Sequence, residues 1–211
     1  MRAGAIAALV LAACCAQRTT EPPRPAPRPP AAVATPVPAP ESPQPAADAP
    51  SIYDLEVRLR DATGRDVGLD VQRGHPTLVA MFYSSCPAAC PVLIEEVKRV
   101  LAEAHRTDAH VLLVSFDSAN DTPERLAELA RVRHLDERWT LAAASDFDAR
   151  AIAAVLGVKY TKLASGAFAH TSVIVGLDTD GHPRARADRA GEHAALVRWL
   201  ARPPEATSAN L

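Results

Sequence analysis

Residues 77–91 read TLVAMFYSSCPAACP. Thr77 to Ser85 is a short apolar run of the kind that forms a strand buried on both faces. It leads into Cys86-Pro87-Ala88-Ala89-Cys90-Pro91, after which Val92/Leu93, Val97, Val100/Leu101 and Ala104 recur on one face of a helix. The handover from strand to helix is where α/β sheets present functional loops. A helix N-terminus stabilises negative charge, so it favours thiolate over thiol. At this spacing Cys86 and Cys90 share a face if the first helical turn reaches that far. Thiolates so placed form a disulfide or clamp a soft metal ion. The bland alternative is two small core residues, which fits poorly with a region that has no other cysteine.

The pattern repeats outward. Val111 to Phe116 is a second buried strand, ending at Asp117. Asp121-Thr122-Pro123-Glu124 opens a helix that carries Leu126, Leu129 and Val132. Either Asp121 caps it with Glu124 at the third position, or Thr122 caps it with Pro123 first inside; the expectation here is Asp121. Trp139 to Ala144 is a third strand, and Asp148 to Leu156 a third helix with Gly157 as its cap. His170 to Leu177 is a strand, which Thr179-Asp180-Gly181 turns back into Pro183–Arg189. A last helix runs from about Glu192 to Arg202, before Pro203-Pro204. Upstream, Tyr53–Arg60, the Asp61–Gly64 turn and Val67–Leu69 read as a β-hairpin. Hairpin, βα, βα, βα, ββ, α predicts an α/β domain with a mainly parallel sheet, helices on both faces and an antiparallel edge. That is the order of a thioredoxin-like fold with an N-terminal β-hairpin and one extra βα unit.

Composition bounds the rest. Twelve of the 19 prolines fall between Pro22 and Pro50, so the folded domain is expected over 51–204, with 205–211 a flexible tail. The Pro/Ala-rich stretch buries too little apolar surface to offset backbone ordering and is expected to be a disordered spacer. With 23 Lys+Arg against 25 Asp+Glu and no basic stripe, nucleic acid is excluded as a partner. No apolar run reaches the ~20 residues of a membrane span. Residues 1–13 have Arg2 and then an apolar run, the pattern of a signal peptide. Leu11-Ala12-Ala13-Cys14 resembles a bacterial lipobox. It would place a lipid on Cys14 and make residues 14–50 a membrane-anchored tether. The expected location is therefore the periplasmic side of a bacterial cell envelope.

FYSSCPAACPVLIEEV (82–97), SFDSANDTPERLAEL (115–129) and FAHTSVIVGLDTDG (168–181) together resemble the Sco/SenC family of copper-binding thioredoxin-fold proteins. The likeness runs from about Asp54 to Arg189. It implies copper as the bound metal, with Cys86, Cys90 and His170 as ligands, and Asp117, Asp121, Thr122 and Pro123 as the matching acidic segment. It also implies loading of the copper site of a membrane-bound cytochrome c oxidase, with some members thought to act as the thiol reductant. Two thiolates and one imidazole suit Cu(I), and suit Cu(II) with a further position open. A three-ligand site can hand its metal on, whereas a closed four-ligand site binds structurally.

In this reading Asp117 and Asp121 are carboxylates that orient the site from behind the ligands; the plainer alternatives are a turn former and a helix cap. His75, His105, His110, His134, His182 and His193 show no ligand spacing. Two positions depart from the family pattern. Ala169 stands before the histidine where an acid is usual, and Ser118 follows Asp117 where a proline is usual. The leading expectation is a copper chaperone. The alternative is an envelope thiol–disulfide oxidoreductase in which Cys86 attacks, Cys90 resolves and copper is not obligatory. That alternative is weakened by the lack of any proline between Pro123 and Pro183, since thioredoxins place a cis-proline opposite the cysteines.

Overall fold

The computed structural model of the chain describes residues 42–86 and 89–202, and of Ala89 and Cys90 the backbone alone. The expected signal peptide, Cys14, the tether as far as residue 41 and the tail 205–211 lie outside the described residues. The strands are β1 (Leu59–Asp61), β2 (Asp66–Val67), β3 (Thr77–Phe82), β4 (His110–Ser115), β5 (Trp139–Ala144), β6 (Tyr160–Lys162), β7 (Phe168–His170), β8 (Ile174–Leu177) and β9 (Pro183–Ala187). The helices are α1 (Ala89–Ala104), α2 (Pro123–Val132), α3 (Asp146–Leu156) and α4 (Ala194–Leu200). No helix among the described residues is long and apolar enough to cross a membrane.

Seven strands form one sheet in the order β2-β1-β5-β4-β3-β8-β9, and β6 and β7 form a separate ribbon. This is the thioredoxin-like architecture, with the β1–β2 hairpin and one extra βα unit, β5–α3, added on the β4 side. All six residues of β3 are buried, as a strand covered on both faces requires. Phe82, Leu112, Leu113, Leu126, Leu141 and Ile152 lie in the same core. The sheet is less parallel than expected. Only β3–β4 and β4–β5 pair parallel, because the first hairpin joins β5 antiparallel, β8 returns antiparallel to β3, and β9 pairs antiparallel with β8.

Three further expectations shift, each for a local reason. Residues 52–54 form a 3-10 turn rather than a strand, with the Ser51 hydroxyl accepting from the Tyr53 N–H. Helix α3 starts at Asp146, because Ser145 accepts from the Asp148 N–H and so caps the helix two residues earlier than expected. The strand expected over 170–177 is broken in two. Phe168–His170 pair with β6, whereas Ile174–Leu177 pair with β3, so the chain changes partner across 171–173.

Two glycines show how tightly the body is packed. Gly157 ends α3 with φ +65°, and a Cβ there would meet the Arg186 guanidinium. At Gly176 a Cβ would lie 2.5 Å from the Trp199 ring, so β8 admits α4 only because the side chain is missing. The cysteine helix α1 is held to the start of α4 through the buried Glu96. Its carboxylate accepts from the Gly191 N–H and from His193 Nδ1, both at 2.6 Å.

Candidate functional site

β3 delivers Tyr83, Ser84 and Cys86 to one pole of the sheet. Cys86 is buried, and its N–H donates to the Tyr83 carbonyl at 3.3 Å, which folds the chain back before α1. Cys90 is the second residue of α1, so the strand-to-helix placement of the pair is as expected. The Cys90 side chain lies outside the described residues.

Asp121 decides where the cysteine strand ends. It is 1% exposed, and its carboxylate accepts from the Ser84 N–H at 2.9 Å and from the hydroxyls of Ser84 and Ser115. Arg125 Nε adds a bond to the Ser84 hydroxyl at 3.3 Å. Asp121 therefore fastens the cysteine segment to β4. This overturns the expectation that Asp121 caps α2. Its carboxylate is turned inward and engaged, and Thr122 is the cap, accepting from the Arg125 N–H with Pro123 in the first turn.

Asp117 is also buried, and its two carboxylate oxygens accept from the Asn120 amide at 3.0 and 2.9 Å. Its carbonyl accepts the N–H groups of Asn120 and Asp121. It shapes the turn from β4 into α2. It also lines an open cleft of about 980 Å³ together with Phe116, Arg150, Tyr160, Phe168 and His170.

His170 closes the ribbon β6–β7, directly opposite Tyr160. Its Nδ1 lies 3.3 Å from the Thr171 carbonyl. A carbonyl only accepts, so Nδ1 carries a proton, and in the neutral ring Nε2 is then the atom with the lone pair. That Nε2 atom is buried and has no hydrogen-bond partner among the described residues. A buried polar atom without a partner is costly, and such an atom at a functional pole calls for an explanation. The ring itself is well held. It stands edge-on to Tyr83 with centroids 5.7 Å apart at 81°, and to Phe116 at 5.5 Å and 61°.

The Tyr83 hydroxyl lies 3.4 Å from both the N–H and the carbonyl of Phe168, accepting from one and donating to the other. Phe116 stacks on Tyr160 at 4.6 Å, and Phe168 closes against Tyr83 and Phe116 at 5.1 Å each. Burial pushes the Tyr160 hydroxyl pKa up, and Arg150 partly opposes the rise. Tyr83, Phe116, Tyr160 and Phe168 are four of the chain's nine aromatics, and they join the cysteine strand to the histidine ribbon. The sequence reading did not single them out. The available signal was Tyr83, an aromatic three residues before Cys86 in a chain with few of them.

Of the expected ligands, Cys86 and His170 are described, and Tyr83 links their two segments. Among the described residues no three Cys, His, Asp or Glu side chains gather at metal-binding spacing. Both departures from the family pattern are exposed: Ala169 on the open face of β7, and Ser118 in the turn after β4.

The sequence profile of the family described as SCO1/SenC matches residues 46–203. An SCO2-like protein of Rickettsia prowazekii is 28% identical over 78 residues, which is 36% of this chain and 38% of that protein. The match thus spans well under half the length of that curated relative. Among solved structures, a SCO1/SenC family lipoprotein from Bacillus anthracis superposes with a TM-score of 0.61 at 18% identity, covering 71% of this chain and 96% of that one. The copper-bound ScoI of Arabidopsis thaliana gives 0.59 at 16% identity, covering 69% and 90%. Copper-bound ScoI of Bradyrhizobium japonicum gives 0.55 at 22% identity, covering 68% and 94%.

Proposed function

The chain belongs to the SCO1/SenC family, and from that premise we propose that it binds one copper ion through Cys86, Cys90 and His170 and passes it to the copper site of a respiratory oxidase. The observation that carries this reading is the buried Nε2 of His170, without a partner among the described residues, on a ring packed against the end of the cysteine strand. Its chemistry fits the cargo. A neutral imidazole lone pair combined with two thiolates is a soft donor set suited to copper. The solved relatives described as copper-bound share the fold.

Each residue has a defined task in this proposal. Thr171 holds the Nδ1 proton and so keeps Nε2 as the donor atom. Asp121, through Ser84, fixes the strand end from which Cys86 projects. Tyr83 and Phe116 hold the imidazole plane, so little ordering remains to be done when the metal arrives. Both thiols must be reduced before loading, because a disulfide has no thiolate to offer. The proposal includes a lipid on Cys14, which would tether the domain on the periplasmic side of the envelope beside a membrane-bound client.

The test is Cu(I) titration of the reduced chain beside His170→Ala and Cys86→Ser. One copper per chain is expected for the wild type, with affinity at least about tenfold weaker in each variant. A reduced chain that binds no copper overturns the proposal. A His170→Ala chain that still exchanges disulfides with a partner dithiol, together with absent copper binding, selects the oxidoreductase instead.

A further inference from the structure

The folded body does not begin at Ser51, because the end of the Pro/Ala-rich segment is docked on it. Its described part, residues 42–50, lies along β9, the edge of the seven-stranded sheet. Arg186 faces Val175 of β8 on one side. On the other side its backbone is met by one side chain. Gln44 Oε1 accepts the Arg186 N–H at 3.0 Å, and Gln44 Nε2 donates to the Arg186 carbonyl at 3.2 Å. The Gln44 amide thus stands in for one residue of a neighbouring strand. It also donates to the Ser42 carbonyl at 2.7 Å, which fixes its own orientation.

Contacts continue on both sides of this pair. The Ser42 hydroxyl accepts the Asp188 N–H at 2.9 Å and donates to Glu192 at 2.8 Å, and Ser42 is 6% exposed. Arg184 donates to the Ala47 carbonyl at 2.7 Å, and His182 Nδ1 to the Ala49 carbonyl at 3.0 Å. The Ser51 hydroxyl reaches the Asp180 carbonyl and the Ile52 N–H the Gly181 carbonyl, in the turn before β9. An open sheet edge is a hazard that proteins cover, and here the chain covers its own.

The direction of the segment matters more than its cover. Ala187 lies opposite Ile174, and Ile174 opposite Ala80, toward the end of β3 that leads to Cys86. Pro183 lies opposite Leu177, and Leu177 opposite Thr77, at the far end. Residue 51 is therefore at the far pole, and Ser42, at Asp188, is at the cysteine pole. At ~3.4 Å per residue, the five residues of β9 separate the two points by roughly 15 Å.

We infer that residues 42–49 are a docked strap that makes the preceding tether leave the domain at the end of the sheet where β3 leads to Cys86, so that the cysteine pole is the part of the domain joined to the tether. The partner this geometry fits is a client fixed in the surface that holds the N-terminus, which meets the cysteine pole at the shortest reach of the tether. The strap itself needs nothing from the proposed function. The membrane as the surface rests on the lipid at Cys14 proposed above.

The test uses the full chain and Ser42→Ala/Gln44→Ala. Amide hydrogen exchange should be at least about fivefold faster at Arg186 and Asp188 in the variant, with β3 unchanged. Equal exchange in the two chains overturns the strap. Spin-label distances, from labelled unnatural residues at position 41 and at Val92 or Asp180, read the direction. Position 41 should lie nearer Val92 in the wild type and move toward Asp180 in the variant. A wild type nearer Asp180 overturns the inference. Neither measurement involves copper, so failed copper binding would remove the proposed function and leave the strap standing. A Cys14 without lipid, by mass spectrometry, would overturn only the membrane-facing half.

Discussion

Tyr83 and His170 meet edge to face, 5.7 Å apart, although one ends the cysteine strand and the other ends a ribbon outside the main sheet. The contact separates two roles of one side chain. Tyr83→Phe keeps the ring and loses the hydroxyl that bridges Phe168, and should cost about 1 kcal/mol in urea unfolding. Tyr83→Ala removes the ring as well and should cost about 3–5 kcal/mol. Copper affinity should fall in Tyr83→Ala and change little in Tyr83→Phe. Equal losses in both would show that the hydroxyl, and not the ring, holds the imidazole.

Asp121 is the buried acceptor for three donors from β4 and the cysteine segment. Asp121→Ala leaves the Ser84 N–H and two hydroxyls without their acceptor, and should destabilise by about 2–4 kcal/mol in denaturant unfolding. Asp121→Asn retains one oxygen and should lose less. An Asp121→Ala protein as stable as the wild type would contradict the network.

At the opposite pole, His110 stacks on His75 with centroids 3.8 Å apart, and its Nδ1 donates to the buried Gln72 at 2.6 Å. Burial, then the neighbouring His75 and Arg138, push its pKa below the ordinary 6.5, while Asp108 and Asp136 pull the other way. The unfolded chain therefore binds this proton more readily than the folded one. The stability linked to this group is fully present above about pH 6.5 and is lost as pH falls below it. His110→Phe keeps a ring in the stack and removes the titration. It should flatten the stability profile between about pH 7 and 5. The carboxyls of Asp61, Asp108 and Asp136 are held below their ordinary 3.8, so their contribution is lost only in stronger acid.

Gly176→Ala should lower stability by about 1–3 kcal/mol, because the new methyl enters the space of the Trp199 ring. Thermal unfolding checks it, and Gly176→Ala/Trp199→Leu should recover part of the loss.

The strands were most legible where both faces are buried. Trp139–Ala144 has the same limits in sequence and structure, and Thr77–Phe82 only stops sooner than its apolar run suggests. Thr122-Pro123 carried the right cap, but the neighbouring Asp121 offered an equally good local pattern. Only the Ser84 and Ser115 donors, from elements distant in sequence, decide between them. His170 is expected to open the strand over 170–177, and instead it closes the β6–β7 ribbon. Its apolar run is continuous with β8, and nothing local shows that Tyr160 rather than β3 is its partner. Residues 42–50 were read as spacer because they lack apolar side chains, yet polar side chains dock them.

The ribbon that carries His170 lies outside the seven-stranded ladder, joined to the body by rings and one tyrosine hydroxyl. Inside a ladder, inserting a single residue reverses which face every later side chain occupies. A ribbon held by aromatic contact is exempt from that penalty. Its hairpin tip, between Lys162 and Phe168, can be lengthened or recharged while the alternation in the main sheet stays fixed. On the proposed ligand set, His170 can thus be retuned as a separate module, apart from the strand that leads to Cys86.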